Sequence, residues 1–267
     1  MMFGYGMGIS PTNRGFGGGG GGGAYTARTI AFAAETSIVD TTILDALNTL
    51  DQGLIDNSLD SKMVALYPFV GGTATTHKYN FFDPRDLDVA FRLAFFGGWT
   101  HSATGIQGNG FTYADTFLTP STSLSLDNTH ASIYSRTDNT RNTFDVWAND
   151  GKLVLGLNFS GTEYMRVNQL TYSTKVATNS LGLGLVNREN STTEKLYRNG
   201  TLTLTSARTS SSLSSSTVSL GGQNGAGISW TDREYSFASL GQGMTDSEET
   251  IFYNLIQDFQ TSLSRQV

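Results

Sequence analysis

The 267-residue sequence predicts an all-β fold, a two-sheet antiparallel sandwich with a helix before it and another after it. Three observations lead there. First, apolar residues alternate with polar or small ones. Leu153, Leu155, Leu157 and Phe159 are separated by Val154, Gly156 and Asn158, the inside–outside pattern of a sandwich strand. Second, strand-like runs are punctuated by turn residues roughly every 8 to 12 positions, as in sandwiches and barrels. Third, charged residues make up 15% of the chain, too few for a fold of solvent-facing helices.

Taken in order, residues 1–25 form a low-complexity arm. Glycine runs unbroken from Gly17 to Gly23, with Phe3, Tyr5, Met7, Ile9 and Phe16 set among small residues before it. Polyglycine loses the most backbone entropy on ordering and has no side chain to offset it. The arm alone is expected to be disordered, and its apolar tip suits attachment to a neighbouring subunit. Residues 35–60 read as one helix. Asp40 or Thr41 can cap it, and Ile43, Leu47, Leu50 and Leu54 make an apolar stripe. Gly53 is expected to end or bend it.

The β domain is expected from about 61 to 243. Strand candidates are 62–69, 77–82, 89–96, 111–118, 130–137, 143–148, 153–159, 163–168, 170–176 and 181–186, with 105–110 a glycine-bounded loop. Gly182 and Gly184 face one way in the last of these, so another element should approach that face closely. The stretch 195–205 reads as a hairpin, with Asn199-Gly200 supplying the two positive-φ residues of a type I′ turn. Further strands are 217–222 and 233–241. The closing helix, 245–263, announces its start: Thr245 can cap it, Glu248 can reach back to the cap, and Phe252, Leu255, Ile256 and Phe259 form its apolar stripe. The domain division is therefore an arm (1–28), a helical segment (29–60) and the β domain with its closing helix (61–267).

That order, ending in FASLGQGMTDSEETIFYNLIQDF, resembles the C-terminal half of concanavalin A-like, laminin-G-like jelly-roll domains. The runs YPFVGGTATTHKYNFFDPRDLDVAFRLAFFGGWTHSATG and FLTPSTSLSL resemble jelly-roll proteins of bacteriophage structural-gene clusters. The likeness extends over residues 38–267. It implies a non-enzymatic virion protein of fibre or spike type, localised to the particle. The jelly roll would be displayed outward for host attachment. Residues 1–25 would bind other virion proteins, and the protein would be a homo-oligomer. It also implies the alternatives of a lectin-like module binding host-surface polysaccharide and a polysaccharide-degrading enzyme.

The residues themselves bound the function further. A net charge of −6 argues against a nucleic-acid-gripping protein. No apolar run is long enough for a membrane span, and no basic-then-apolar secretory leader is evident at the start. With no cysteine and three histidines (His77, His101, His130) there is no zinc-ligand spacing and no thiolate. The paired-carboxylate signature Glu-x-Asp-x-x-Glu of jelly-roll glycosidases is absent. Asp86 and Asp88 fall in a turn, and Glu248 and Glu249 in the first turn of a helix, so no catalytic residue is assigned. Ca²⁺ is the one cofactor to weigh, through Asp127-Asn128 and Asp138-Asn139, which should lie at opposite ends of one strand. A glycan site would need an exposed aromatic platform with polar neighbours. Trp99, His101 and Trp230 are the candidates, in loops, whereas Trp147 is expected to be packed.

Overall fold

The computed structural model describes residues 24–224 and 231–267. The expectations for the arm and for Trp230 fall outside the described residues, apart from the last positions before residue 26.

Two antiparallel sheets face each other. Helices α1 (Ala27–Thr36) and α2 (Thr41–Asp56) precede the first strand, β1 (Met63–Tyr67). A one-turn helix, α3 (Ala74–His77), leads to β2 (Ala94–Phe96), β3 (Thr100–Ser102), β4 (Gly105–Gln107) and β5 (Tyr113–Asp115). After a second one-turn helix, α4 (Pro120–Ser123), come β6 (Thr129–Ser135), β7 (Val146–Ala148), β8 (Leu153–Phe159), β9 (Thr162–Val167) and β10 (Ser173–Val176). Then follow β11 (Gly182–Arg188), β12 (Thr193–Arg198), β13 (Thr201–Ala207), β14 (Val218–Leu220), β15 (Glu234–Gly241) and α5 (Asp246–Ser262). The eight-stranded sheet has the order β13-β12-β11-β6-β15-β4-β3, with β1 also paired to β15; the seven-stranded sheet has the order β10-β9-β8-β7-β14-β5-β2.

The main core lies between the sheets, where Leu153, Leu155, Leu157, Met165 and Val167 meet Ile133, Val186, Leu196 and Leu240. A second core lies outside the eight-stranded sheet. Leu66, Tyr134, Leu183, Leu185, Tyr197 and Phe237 project outward from it and are covered by Leu47, Leu50 and Leu54 of α2 and by Phe252, Ile256 and Phe259 of α5. This is why β6 and β11 are buried along their whole length. Each large apolar side chain sealed this way contributes about 1.5–3 kcal/mol.

The closing helix starts as expected. Thr245 Oγ1 accepts from the Glu248 N–H, and the Glu248 carboxylate accepts from the Thr245 N–H. The hairpin turn also stands, with φ of 49° at Asn199 and 71° at Gly200. On the glycine face of β11, a Cβ at Gly184 would lie 2.3 Å from the Leu157 side chain of the opposite sheet.

Several expectations are corrected. The 35–60 helix is two helices. Ser37 adopts φ 58° and ends the first, and Asp40 caps the second through the N–H groups of Thr42 and Ile43. Gly53 does not end α2, which runs to Asp56; its bare Cα admits Leu255 of α5, whose side chain a Cβ would meet at 2.4 Å. Residues 77–82 are not a strand. His77 ends α3, and the Asn80 side chain instead ties down the chain by accepting from the N–H groups of Leu66 and Phe82. The 89–96 strand is reduced to β2, because Asp88–Ala90 makes a 3-10 turn and Phe91 sits at φ 59°. The loop expected at 105–110 contributes β4. Glu249 lies in the first turn of α5 as expected, but it is buried there and neither carboxylate oxygen has a partner among the described residues.

The sheets are tied by buried polar groups as well. Arg233 Nη1 donates to Asp145 Oδ1 at 2.7 Å, with both side chains fully buried. Asp145 also accepts from Tyr235 Oη at 2.6 Å and from the Leu157 N–H at 2.7 Å. Removing one partner of such a pair leaves the other charged and buried. Arg233→Met is therefore expected to lower unfolding free energy by about 3–5 kcal/mol in urea titrations.

Two buried groups give stability opposite dependences on pH. His130 donates from Nδ1 to the Gln242 carbonyl at 2.5 Å and accepts at Nε2 from Ser239 at 3.0 Å, and burial pushes its pKa down to about 4. Its contribution is complete above the unfolded value near 6.5 and is lost as pH falls through about 4. Burial pushes Glu249 up to about 7, so its contribution is complete below 4.5 and lost as pH rises through about 7. Urea midpoints measured from pH 4 to pH 8 should lose the acid-side slope in His130→Asn and the neutral-side slope in Glu249→Gln.

Candidate functional site

Helices α2 and α5 seal the outer face of the eight-stranded sheet, and the outer face of the seven-stranded sheet carries a cluster of aromatic rings instead. The side chains on that second face follow from strand register. In β7, Val146 and Ala148 point into the core, so Trp147 points out. Trp147 pairs with Val154 and Val154 with Arg166, which makes one outward row; Gly156, Tyr164 and Thr174 make the next. At Gly156 the sheet has no side chain to offer, and the Phe144 ring occupies the space; a Cβ there would lie 3.1 Å from it.

Phe144 is the centre of an aromatic cluster and is itself only 6% exposed. Its ring is nearly parallel to Trp147 (centroids 5.0 Å apart, 5°), Phe159 (4.8 Å, 25°) and Tyr172 (5.7 Å, 23°). It meets Tyr164 edge-on at 5.4 Å, and Tyr164 stands perpendicular to Tyr172. The Arg166 guanidinium lies 3.5 Å over the Tyr172 ring and donates to the Gly151 carbonyl at 2.6 Å. Burial lowers the Arg166 pKa and raises that of Tyr172. Trp147, Phe159, Tyr164 and Tyr172 are half-buried. Leu170 (66% exposed) and Val176 (78%) flank the rings. Asn149, Asp150 and the hydrogen-bonded pair Asn142–Ser160 supply a polar rim. Rings with free edges beside amide, carboxylate and hydroxyl groups are what packs the C–H face of a sugar and takes up its hydroxyls.

The residues singled out from sequence lie elsewhere. Trp99 is half-buried against the inter-sheet core, and its Nε1–H donates to the Tyr113 carbonyl at 3.3 Å. Its ring lies over Gly221, where a Cβ would come within 2.5 Å of it. His101 is brought close to Trp99 through Phe95, whose ring is 4.7 Å from His101 and 6.0 Å from Trp99. His101 Nδ1 lies 3.0 Å from His77 Nδ1, and His77 Nε2 accepts from the Gly72 N–H. His77 therefore carries its proton on Nδ1 and donates it to His101. Burial, helped by His101 and Arg265, pushes His77 down to about 3, so the pair is neutral near pH 7. Trp147 is packed against Phe144 as a half-buried ring, but on the outer face of the sheet and not in the inter-sheet core, because Val146 and Ala148 take the inward positions.

Asp127-Asn128 and Asp138-Asn139 do lie at opposite ends of β6, engaged in loop contacts. Asp127 accepts from Ser210 and Asp138 from the Ser180 N–H. Among the described residues, no three His, Asp or Glu side chains are placed to hold one metal ion, and no helix is long and apolar enough to cross a membrane.

No family model matches the chain, and no curated protein matches it. Solved structures do resemble it. The binding domain of botulinum neurotoxin serotype D superposes with a TM-score of 0.52 at 9% identity, over 74% of this chain and 53% of that one. Botulinum neurotoxin type C gives 0.52 at 11% identity, over 76% and 53%. A sialidase mutant from Trypanosoma rangeli gives 0.51 at 10%, over 81% and 39%. The chain thus spans about half the length of the neurotoxin structures it matches. At these identities the likeness establishes the fold: this is a two-sheet antiparallel β-sandwich protein, of the architecture also used by receptor-binding domains.

Proposed function

We propose that this protein is a non-enzymatic, lectin-like adhesive component of a phage particle that binds host-surface polysaccharide on the aromatic outer face of its seven-stranded sheet. The observation that carries this reading is the asymmetry of the sandwich. One outer face is sealed by α2 and α5, and the other exposes Trp147, Phe159, Tyr164 and Tyr172 around Phe144. Botulinum neurotoxin type C, of similar fold, requires interaction with two ganglioside molecules to enter cells, which supports glycan recognition on this architecture. The virion assignment is supported by the likeness of residues 67–105 and 117–126 to phage structural proteins. In it, residues 1–25 anchor a homo-oligomer to other virion proteins. The absence of a Glu-x-Asp-x-x-Glu strand favours binding over hydrolysis.

A glycan array followed by titration of the best binder tests the site. Trp147→Ala should weaken binding by about tenfold or more, consistent with loss of one stacking ring, and should leave Tm within a few degrees of the parent. An unchanged affinity in Trp147→Ala together with a loss in Trp99→Ala would move the platform to the Trp99–His101 loop. Release of reducing sugar from host capsule would convert the reading to an enzyme.

Deletion of residues 1–24 addresses the anchoring role separately. Incorporation into particles should be lost while the folded domain and its glycan affinity persist; normal incorporation would end that part of the reading.

A further inference from the structure

A second concavity lies away from the aromatic face, between the turn before β2, the turn after β5 and α4. It has a volume of about 410 Å³ and is lined by Asp88, Val89, Phe91, Phe117, Thr122 and Ser123. That volume falls within the range of about 300–1,000 Å³ usual for small-molecule sites.

Its floor is built from two phenylalanines in the left-handed region, Phe91 at φ 59° and Phe117 at φ 55°. Bulky residues avoid this region, and strained residues of this kind gather at functional sites. The surrounding structure holds both in place. Phe91 N–H donates to the Asp88 carbonyl at 3.0 Å, and its own carbonyl accepts from Tyr67 Oη at 2.6 Å. Phe117 N–H donates to Asp115 Oδ1 at 2.9 Å, while its neighbours Thr116 and Leu118 are bonded to Val218 on both sides. The rim is polar. Asp88 accepts from Arg92 Nε at 2.8 Å, and the Arg92 guanidinium stands 5.4 Å from the Phe117 ring. The Thr122 and Ser123 hydroxyls lie 3.2 Å apart. Val89, 75% exposed, completes the lining.

The lining selects the ligand. An aromatic floor favours a C–H face, whereas a carboxylate and two hydroxyls favour a ligand with several hydroxyl groups. A wholly apolar ligand would desolvate the Asp88–Arg92 pair without offering it a hydrogen bond, and an anion would meet the carboxylates of Asp88 and Asp86 around the single Arg92. A single carboxylate is too few for a metal ion. We propose that this pocket is a binding site for one neutral hexose-sized sugar residue, its C–H face on Phe117 and its hydroxyls on Asp88, Thr122 and Ser123. The site is separate from the aromatic face and does not depend on glycan binding there.

Saturation-transfer NMR on the full chain tests it, with free glucose, galactose and mannose as probes and glucuronate as the anionic comparison. At least one neutral hexose should give signal at millimolar concentration, and glucuronate should give less. Asp88→Asn should weaken binding by about tenfold, consistent with loss of a charged hydrogen-bond acceptor, and Thr122→Val should weaken it by a smaller factor. Both residues are on the rim, so folding is expected to survive; Phe117→Gly, at a φ that glycine adopts freely, should abolish the signal. Trp147→Ala should leave hexose binding intact, which separates this site from the aromatic face. Absence of signal from every neutral hexose, equal binding of glucuronate, or parental affinity in Asp88→Asn and Thr122→Val would overturn the proposal.

Discussion

The structure depends on apolar burial on the outer side of the eight-stranded sheet. Leu183, Leu185, Tyr134, Tyr197 and Phe237 face away from the sandwich, and without a cover they would be a large exposed apolar patch. α2 and α5 provide that cover from opposite ends of the chain. Their close approach at Gly53 and Leu255 joins residues some two hundred positions apart. Because both helices are spent on one sheet, the half-buried aromatic cluster lies on the other. The molecule's sidedness is a consequence of where the apolar residues of β11, β12 and β15 point.

Polar groups reinforce the same arrangement at the margins of the core. Arg233–Asp145 links the start of β15 to the residue before β7, and Arg198 approaches Glu163 at 3.4 Å between β12 and β9. At the far end Arg265 donates to the carbonyls of Pro68, Phe69 and Ser236, fastening the chain's last residues to β1 and β15; burial pushes its pKa down to about 9. Such buried ions specify register more than they add stability, since the desolvation cost offsets most of their attraction. Asp145 illustrates the functional consequence. By fixing the residue next to Phe144, it sets where the aromatic cluster is centred.

Long strands with strict alternation were legible in the sequence because each is a complete half-buried element. Leu153–Phe159, the Asn199-Gly200 hairpin and the capped terminal helix all carried local signals that tertiary contacts reinforce. The stretch from His77 to Gly110 was not legible in the same way. Its apolar residues answer to the ends of several strands at once, so Phe91 turns into the left-handed region and β2, β3 and β4 are three residues each. Short edge strands of this kind are defined by their partners, Tyr113–Asp115 and Glu234–Tyr235, rather than by their own periodicity.

The candidate site was less legible. The sequence pointed to Trp99, His101 and Trp230 and expected Trp147 to be packed. The cluster around Phe144 depends on tertiary contacts, because Phe144, Phe159 and Tyr172 lie outside or at the ends of the strands and converge only where Gly156 leaves a gap. By itself, the sequence determined the sandwich class, the capped closing helix and the absence of cysteine and of a Glu-x-Asp-x-x-Glu run, since these depend on residue type and local spacing. Tertiary structure alone decided which sheet the helices cover, and therefore which face carries the aromatic cluster. That choice rests on contacts between residues far apart in the chain, and no local pattern encodes them.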